Sequence, residues 1–188
     1  MKEHCTEKLT SITLLSNMKL RFIKYILLAF MVSTVLSACK AKVSLSGATI
    51  PPEAKTISVA FFTNNASLAP PTLPQVFTEK LRDVVSQQTS LALIKQKGDL
   101  EFEGFIADYN VSPVAIQASD RAGSNRLTIT VNVKYTNKFD ATKNFEQNFT
   151  RFADYASNLS LSSKEAELIQ EINRQLTEDI FNKAFNNW

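Results

Sequence analysis

The sequence predicts an α/β fold of the α+β kind: a two-layer sandwich with two helices on one face of a four-stranded mixed sheet, in the order β-α-β-β-β-α. Three observations lead there. Four stretches alternate apolar and polar residues with the period of two that a half-buried strand requires. Two others repeat apolar residues at helical spacing along a single stripe. Neither helix can bury its stripe alone, and the strands leave an apolar face open, so each layer covers the other. The chain has 188 residues, 44% hydrophobic and 21% charged, with four Gly and six Pro. That length and composition suit one folded domain and exclude collagen-like or largely disordered readings.

The first strand is predicted over Thr56–Phe62, with Ile57, Val59 and Phe61 on one face. Asn64, Asn65 and the prolines at 70, 71 and 74 mark the loop that follows. A helix should begin near Thr72, because Thr72 and Gln75 have capping-box spacing and Pro74 suits a first turn. Val76, Phe77, Leu81, Val84 and Val85 form its buried stripe, and Glu79, Lys80, Arg82 and Asp83 face water. The next strand carries Leu100, Phe102 and Ile106 against Glu101 and Glu103. Gly104 falls on its apolar side, which suggests a bulge or the close approach of another element. This strand–helix–strand unit is expected to place its two strands parallel.

The clearest alternation runs from Leu127 to Tyr135, with Ile129, Val131 and Val133 between polar neighbours, as in an antiparallel partner with one wet face. A turn over Phe139–Lys143 leads into a fourth strand through Phe145, Phe149, Phe152 and Tyr155. The last element is a long helix with Leu168, Ile169, Ile172, Leu176, Ile180, Phe181, Ala184 and Phe185 on one face. Ser162 and Glu165 suggest a second capping box, with Leu161 stapled onto Ala166 and Trp188 packed under the last turn.

The N-terminal part reads differently. Lys19, Arg21 and Lys24 precede an apolar run from Tyr25 to Leu36, which ends in Ser37 and Ala38. A basic head, a short apolar run and a small-residue exit mark a secretory signal peptide, whereas a buried core helix needs neither flank. The run is shorter than the about 20 residues a spanning helix needs. Leu36-Ser37-Ala38-Cys39 also has the spacing of a bacterial lipobox, which predicts cleavage between Ala38 and Cys39 and acylation of the Cys39 thiol. Two or three acyl chains hold a protein stably on a bilayer, where one does so only reversibly. Residues 1–38 are thus a signal peptide with an upstream extension over 1–17, residues 39–55 the lipidated cysteine and a tether, and residues 56–188 the folded domain.

This division changes the electrostatics. The whole chain carries a formal charge of +3, but positions 1–38 hold five of the 21 basic and two of the 18 acidic residues, so the remainder balances at 16 against 16. A nucleic-acid partner is not expected from a neutral body. His4, Cys5 and Cys39 are the only histidine and cysteines. A mature chain starting at Cys39 therefore lacks the parts for a disulfide, a Cys/His zinc site or a histidine-dependent triad, and no cofactor or metal is expected.

The stretches SLSGATIPPEAKTISVAFF, LPQVFTEKLRDVV, GDLEFEGFIADYNVSPVAIQ, NRLTITVNVKYTN, FEQNFTRFADY and ELIQEINRQLTEDIFNKAFNNW together resemble the LptE lipoproteins, in the branch typical of Bacteroidetes-type bacteria. The resemblance covers nearly all of residues 43–188 in order. It implies two helices on a four-stranded mixed sheet, anchoring by lipid in the outer membrane and a periplasmic face. It further implies a place as a plug in an LptD-like outer-membrane β-barrel, contact with lipopolysaccharide in transit, and no catalysis. The runner-up is a stand-alone periplasmic lipoprotein that binds glycan or lipid without a barrel. Loss of barrel maturation on depletion would separate the two.

Lipopolysaccharide presents phosphates, which Arg and Lys on a loop tip meet well. Residues 119–126 form the most polar connection between two strands, so Arg121 and Arg126 are the candidate ligand residues, against the plainer reading of solvated loop charges. Glu101 and Glu103 lie on one strand face and cannot flank a scissile bond as glycosidase carboxylates do. The aromatic series Phe145, Phe149, Phe152 and Tyr155 is expected to be mostly core.

Overall fold

A computed structural model describes residues 50–114 and 123–185, all within one compact unit, Ser44–Trp188. The signal peptide, Ala38, Cys39, most of the tether, Arg121 and Trp188 lie outside the described residues. The elements are β1 (Thr56–Val59), β2 (Thr63–Asn64), α1 (Leu73–Gln88), β3 (Ala92–Ile94), β4 (Leu100–Val114), β5 (Ser124–Asn137), a short 3-10 turn (Ala141–Lys143), β6 (Phe145–Ala156) and α2 (Leu161–Phe185). The sheet order is β3-β1-β4-β5-β6, with β2 also paired to β4.

The two-layer α+β class is as the alternation predicted, and β1 runs parallel to β4 as expected. The sheet has six strands and not four. β3 is an edge strand of three residues, all exposed, so it carries no alternation to detect. β2 continues the path of β1 along β4 after a break. That break corrects a second expectation: Phe61 is 58% exposed and Phe62 is the buried ring. Three contacts hold the bend. The Val59 carbonyl accepts from the Arg82 guanidinium, at 2.8 Å from Nη2, and the Phe62 N–H donates to Thr78 Oγ1 at 3.1 Å. The Phe62 ring then fills the space over Gly104, where an added Cβ would lie 2.7 Å from the ring and collide with the Asn132 carbonyl. Close approach therefore explains Gly104.

The bulge in β4 lies further on, where the register against β5 shifts between Ile106 and Asp108. One extra residue re-phases the alternation and brings Tyr109 to the inner face in place of Asp108. Tyr109 is buried there and donates to Glu165 of α2 at 2.6 Å.

The core lies between the sheet and the helices. Leu127, Ile129, Val131, Val133 and Tyr135 line the middle of the inner face, each almost wholly buried. Every apolar residue expected on α2 is buried against it. Phe185 packs edge-on to Phe102 and Tyr135, with centroids 6.2 and 6.0 Å away, and Phe62 meets Phe77 of α1 at 4.9 Å. Each such side chain contributes on the order of 1.5–3 kcal/mol by burial. On α1 the buried stripe is Leu73, Phe77, Leu81, Val84 and Val85, while Val76 is 38% exposed.

Neither capping box forms. Thr72 precedes α1 but makes no side-chain cap bond, and the Gln75 amide donates to Glu79. α2 starts at Leu161, which puts Ser162 inside the first turn and leaves the Glu165 carboxylate to Tyr109. Leu161 packs on the core and Ala166 is exposed, so the staple is absent as well. The packed body reaches back to Ile50, which sits against the core ahead of the expected boundary at Thr56.

Candidate functional site

Both helices cover the inner face of the sheet, and no described element covers the outer face of β4, β5 and β6. The site is built there by the period of two: the residues that alternate with the inward-facing row point out. Tyr135 faces Phe145 across the turn, and from that pair the register runs without interruption to Ser124 opposite Ala156. The hairpin is closed by Asn137, whose Oδ1 accepts from the backbone N–H groups of Phe139 and Asp140. The Thr142 hydroxyl and N–H hold the Asp140 carboxyl below its ordinary value. A well-made turn fixes the register, and the register decides which polar side chains meet.

Along this face the pairs are complementary. Lys134 Nζ meets Glu103 at 2.7 Å, Asn132 donates to Asn148 at 3.0 Å, and the hydroxyls of Thr130 and Thr150 lie 2.9 Å apart. At the far end Arg126 binds Asp154 through two parallel bonds, from Nε at 2.7 Å and Nη2 at 2.9 Å. Its guanidinium also lies 3.6 Å over the Phe152 ring. Cross-strand pairs of this kind contribute about 0.2–1 kcal/mol each, so the outer face sets register and chemistry while the core sets stability. Accepting from Arg126 holds the Asp154 carboxyl below its usual range, and Arg126 is held correspondingly higher.

The expected loop position of Arg126 is thus revised. It is the third residue of β5, half-exposed, on the outer face, with Nη1 as the guanidinium nitrogen left open by Asp154. Arg121 lies outside the described residues. Of the aromatic series, Phe149 and Tyr155 are buried, Phe145 packs on the core, and Phe152 is 47% exposed beneath Arg126. Glu101 and Glu103 share the outer face; Glu103 serves Lys134, and Glu101 accepts weakly from Ser58 Oγ at 3.4 Å. Sequence reasoning missed Asp154 as a partner of Arg126. The signal was present: nine residues back from Tyr135 and nine forward from Phe145 bring the two face to face.

No group of three or more potential metal ligands occurs among the described residues. No helix among them is long and apolar enough to cross a membrane.

Fold and site together define a class: two-layer α+β domains with helices on one sheet face and a polar, register-locked face left open. The family model described as LptE, lipopolysaccharide-assembly, matches residues 54–184. The chain belongs to the LptE lipopolysaccharide-assembly family. No curated protein matches it. Among solved structures it is similar to a minor lipoprotein from Acinetobacter baumannii, at 12% identity over 71% of this chain and 92% of that one, with a TM-score of 0.46. It is also similar to lipoprotein B from Nitrosomonas europaea, at 15% identity over 76% and 88% of the two chains and a TM-score of 0.46. The rare lipoprotein B of Shewanella oneidensis follows at 12% identity, 66% and 91% coverage and a TM-score of 0.40. The family assignment rests on the family match.

Proposed function

We propose that this protein is an outer-membrane lipoprotein that plugs and helps assemble an LptD-like β-barrel and takes part in carrying lipopolysaccharide to the cell surface, without catalysing a reaction. The observation that carries the reading is the family match across residues 54–184. In this reading Cys39 is acylated after cleavage at Ala38, residues from Cys39 onward tether the domain, and the domain faces the periplasm. The open sheet face supports it physically, since paired polar rows give a pre-ordered, hydrogen-bonding surface for a neighbouring wall.

Arg121 and Arg126 are the proposed contacts to glycolipid phosphates. Asp154 tempers Arg126: an arriving phosphate must share the guanidinium through Nη1 or displace the carboxylate. The double variant Arg121→Ala, Arg126→Ala should therefore bind purified lipopolysaccharide more weakly, and Asp154→Asn more tightly. Unchanged binding in both would remove this site. The wider reading is tested by recovering the lipidated protein from outer membranes and identifying its companions by mass spectrometry. A large β-barrel in stoichiometric amount is expected. A free monomer, with barrel maturation intact after depletion, would favour a stand-alone binding lipoprotein.

A further inference from the structure

The described residues include the arginines 82, 126, 151 and 174. Arg126 is neutralised by Asp154, Arg151 by Asp179, and Arg174 by Glu171 and Glu178. Arg82 differs. Its Nε and Nη2 donate to the Val59 carbonyl at 3.3 and 2.8 Å, and it makes no ion pair among the described residues. The carbonyl fixes the guanidinium in place without cancelling its charge.

That fixed charge lines an open groove of about 470 Å³ between the bend after β1, the edge strand β3 and the flank of α1. Among the described residues, Lys95 is the second cation on its wall and no acidic residue lines it. The rest is largely apolar: Phe61 is 58% exposed, Leu93 40% and Ile94 37%. Uncovered apolar side chains clustered beside unpaired cations narrow the occupant by elimination. A neutral apolar partner would bury two charges without a counterion, which is costly. A bare inorganic anion would satisfy the charges and leave the apolar floor wet. A molecule with an anionic head and an apolar chain answers both demands.

We infer that this groove binds an anionic amphiphile, its phosphate or carboxylate head on Arg82 and Lys95 and its chain along Phe61, Leu93 and Ile94. The groove lies at the β3 edge of the sheet, across β1 and β4 from the strand that carries Arg126, and is a separate site from the Arg126 contact. The inference therefore stands or falls independently of the function proposed above.

Calorimetric titration of the full-length chain with dodecyl phosphate, kept below its micelle concentration, tests it. Measurable binding is expected, weakened about tenfold by Lys95→Gln, as loss of one charge-assisted contact implies. Leu93→Asn should weaken it comparably and Arg82→Gln at least as much, while Arg174→Gln, at an arginine already neutralised by Glu171 and Glu178, should leave it unchanged. Because Arg82 also caps the bend and its variant can fail to fold, Lys95→Gln and Leu93→Asn, both at exposed positions, decide the matter. Inorganic phosphate and uncharged octyl glucoside should each bind far more weakly. Dodecyl phosphate binding that ignores Lys95→Gln and Leu93→Asn, or equal binding of inorganic phosphate or octyl glucoside, would each overturn the assignment.

Discussion

The two halves of the sheet are held by different means. In the antiparallel half, β4, β5 and β6 pair over long registers, broken once by the bulge in β4, so the backbone ladder satisfies itself and side chains are free to build rows. In the parallel half, β1 pairs with β3 and with β4 over three residues each. There the side chains do the ladder's work. The Asp99 carboxylate accepts from the N–H groups of Lys55 and Thr56, both at 3.0 Å, and from the Thr56 hydroxyl at 2.8 Å. Ser58 Oγ takes the Gly98 N–H, Thr78 takes that of Phe62, and Arg82 covers the Val59 carbonyl. Where a ladder is short, buried main-chain groups still need partners, and polar side chains from elsewhere supply them.

This contrast can be broken at several points. The largest effect belongs to the shared core: Phe149→Ala, on the inner face of β6, should cost about 3–4 kcal/mol in urea unfolding, whereas Phe152→Ala on the outer face should cost about 1 kcal/mol or less. Similar costs would mean the outer ring is more than a rest for Arg126. Next, Gly98→Ala should cost about 3 kcal/mol, because an added Cβ would come within 2.6–2.8 Å of backbone atoms of Ile57, Ser58 and Leu100. At Gly123, beside β5, the nearest atom to such a Cβ is Ser157 Oγ at 3.5 Å, and Ala should change stability by about 0.5 kcal/mol or less. Thr78→Val keeps the side-chain shape but strands the Phe62 N–H, for a loss of about 2 kcal/mol and faster hydrogen exchange at that amide.

The smallest effect is in acid. Hydrogen bonds from Lys55 and Thr56 hold the Asp99 carboxyl below its ordinary 3.8. The unfolded chain then takes up a proton near 3.8 while the folded one still resists it, so the contribution is complete above that pH and fades as pH falls through the lowered value. The stability gap between the protein and Asp99→Ala should thus be constant at neutral pH and close below pH 3.8. A gap independent of pH would show that the hydroxyl and amide partners do not depend on the charge. Glu171, brought down to about 2 by Arg174 and Gln175, gives an exposed comparison on α2.

Legibility follows the same divide. The inner face of β5 and the whole apolar stripe of α2 could be read from periodicity because long elements repeat their signal. The parallel half could not. β3 has three exposed residues, and the exchange of Phe61 for Phe62 depends on Gly104, forty-two positions away, and on a threonine of α1. The capping boxes failed for a related reason: Glu165 had a better partner in Tyr109, and nothing local announces it. For the candidate site, the presence of arginine was legible and its neutralisation was not, since that required the hairpin register to be carried nine residues on both strands. By helical spacing alone Arg82 is a solvated charge, and only the bend after β1 makes it a fixed one.

The register shift at Ala107 has a wider meaning for how this chain tolerates change. It divides the longest strand into two lengths whose inside and outside are decoupled, much as a leap day resets a calendar. Substitutions beyond it can reshape the tip of the hairpin while the packed end, with Phe102 and Ile106, keeps its own count. Loss of that one residue would take out the bend and leave Asp108 outward and Tyr109 inward on the partners they already have.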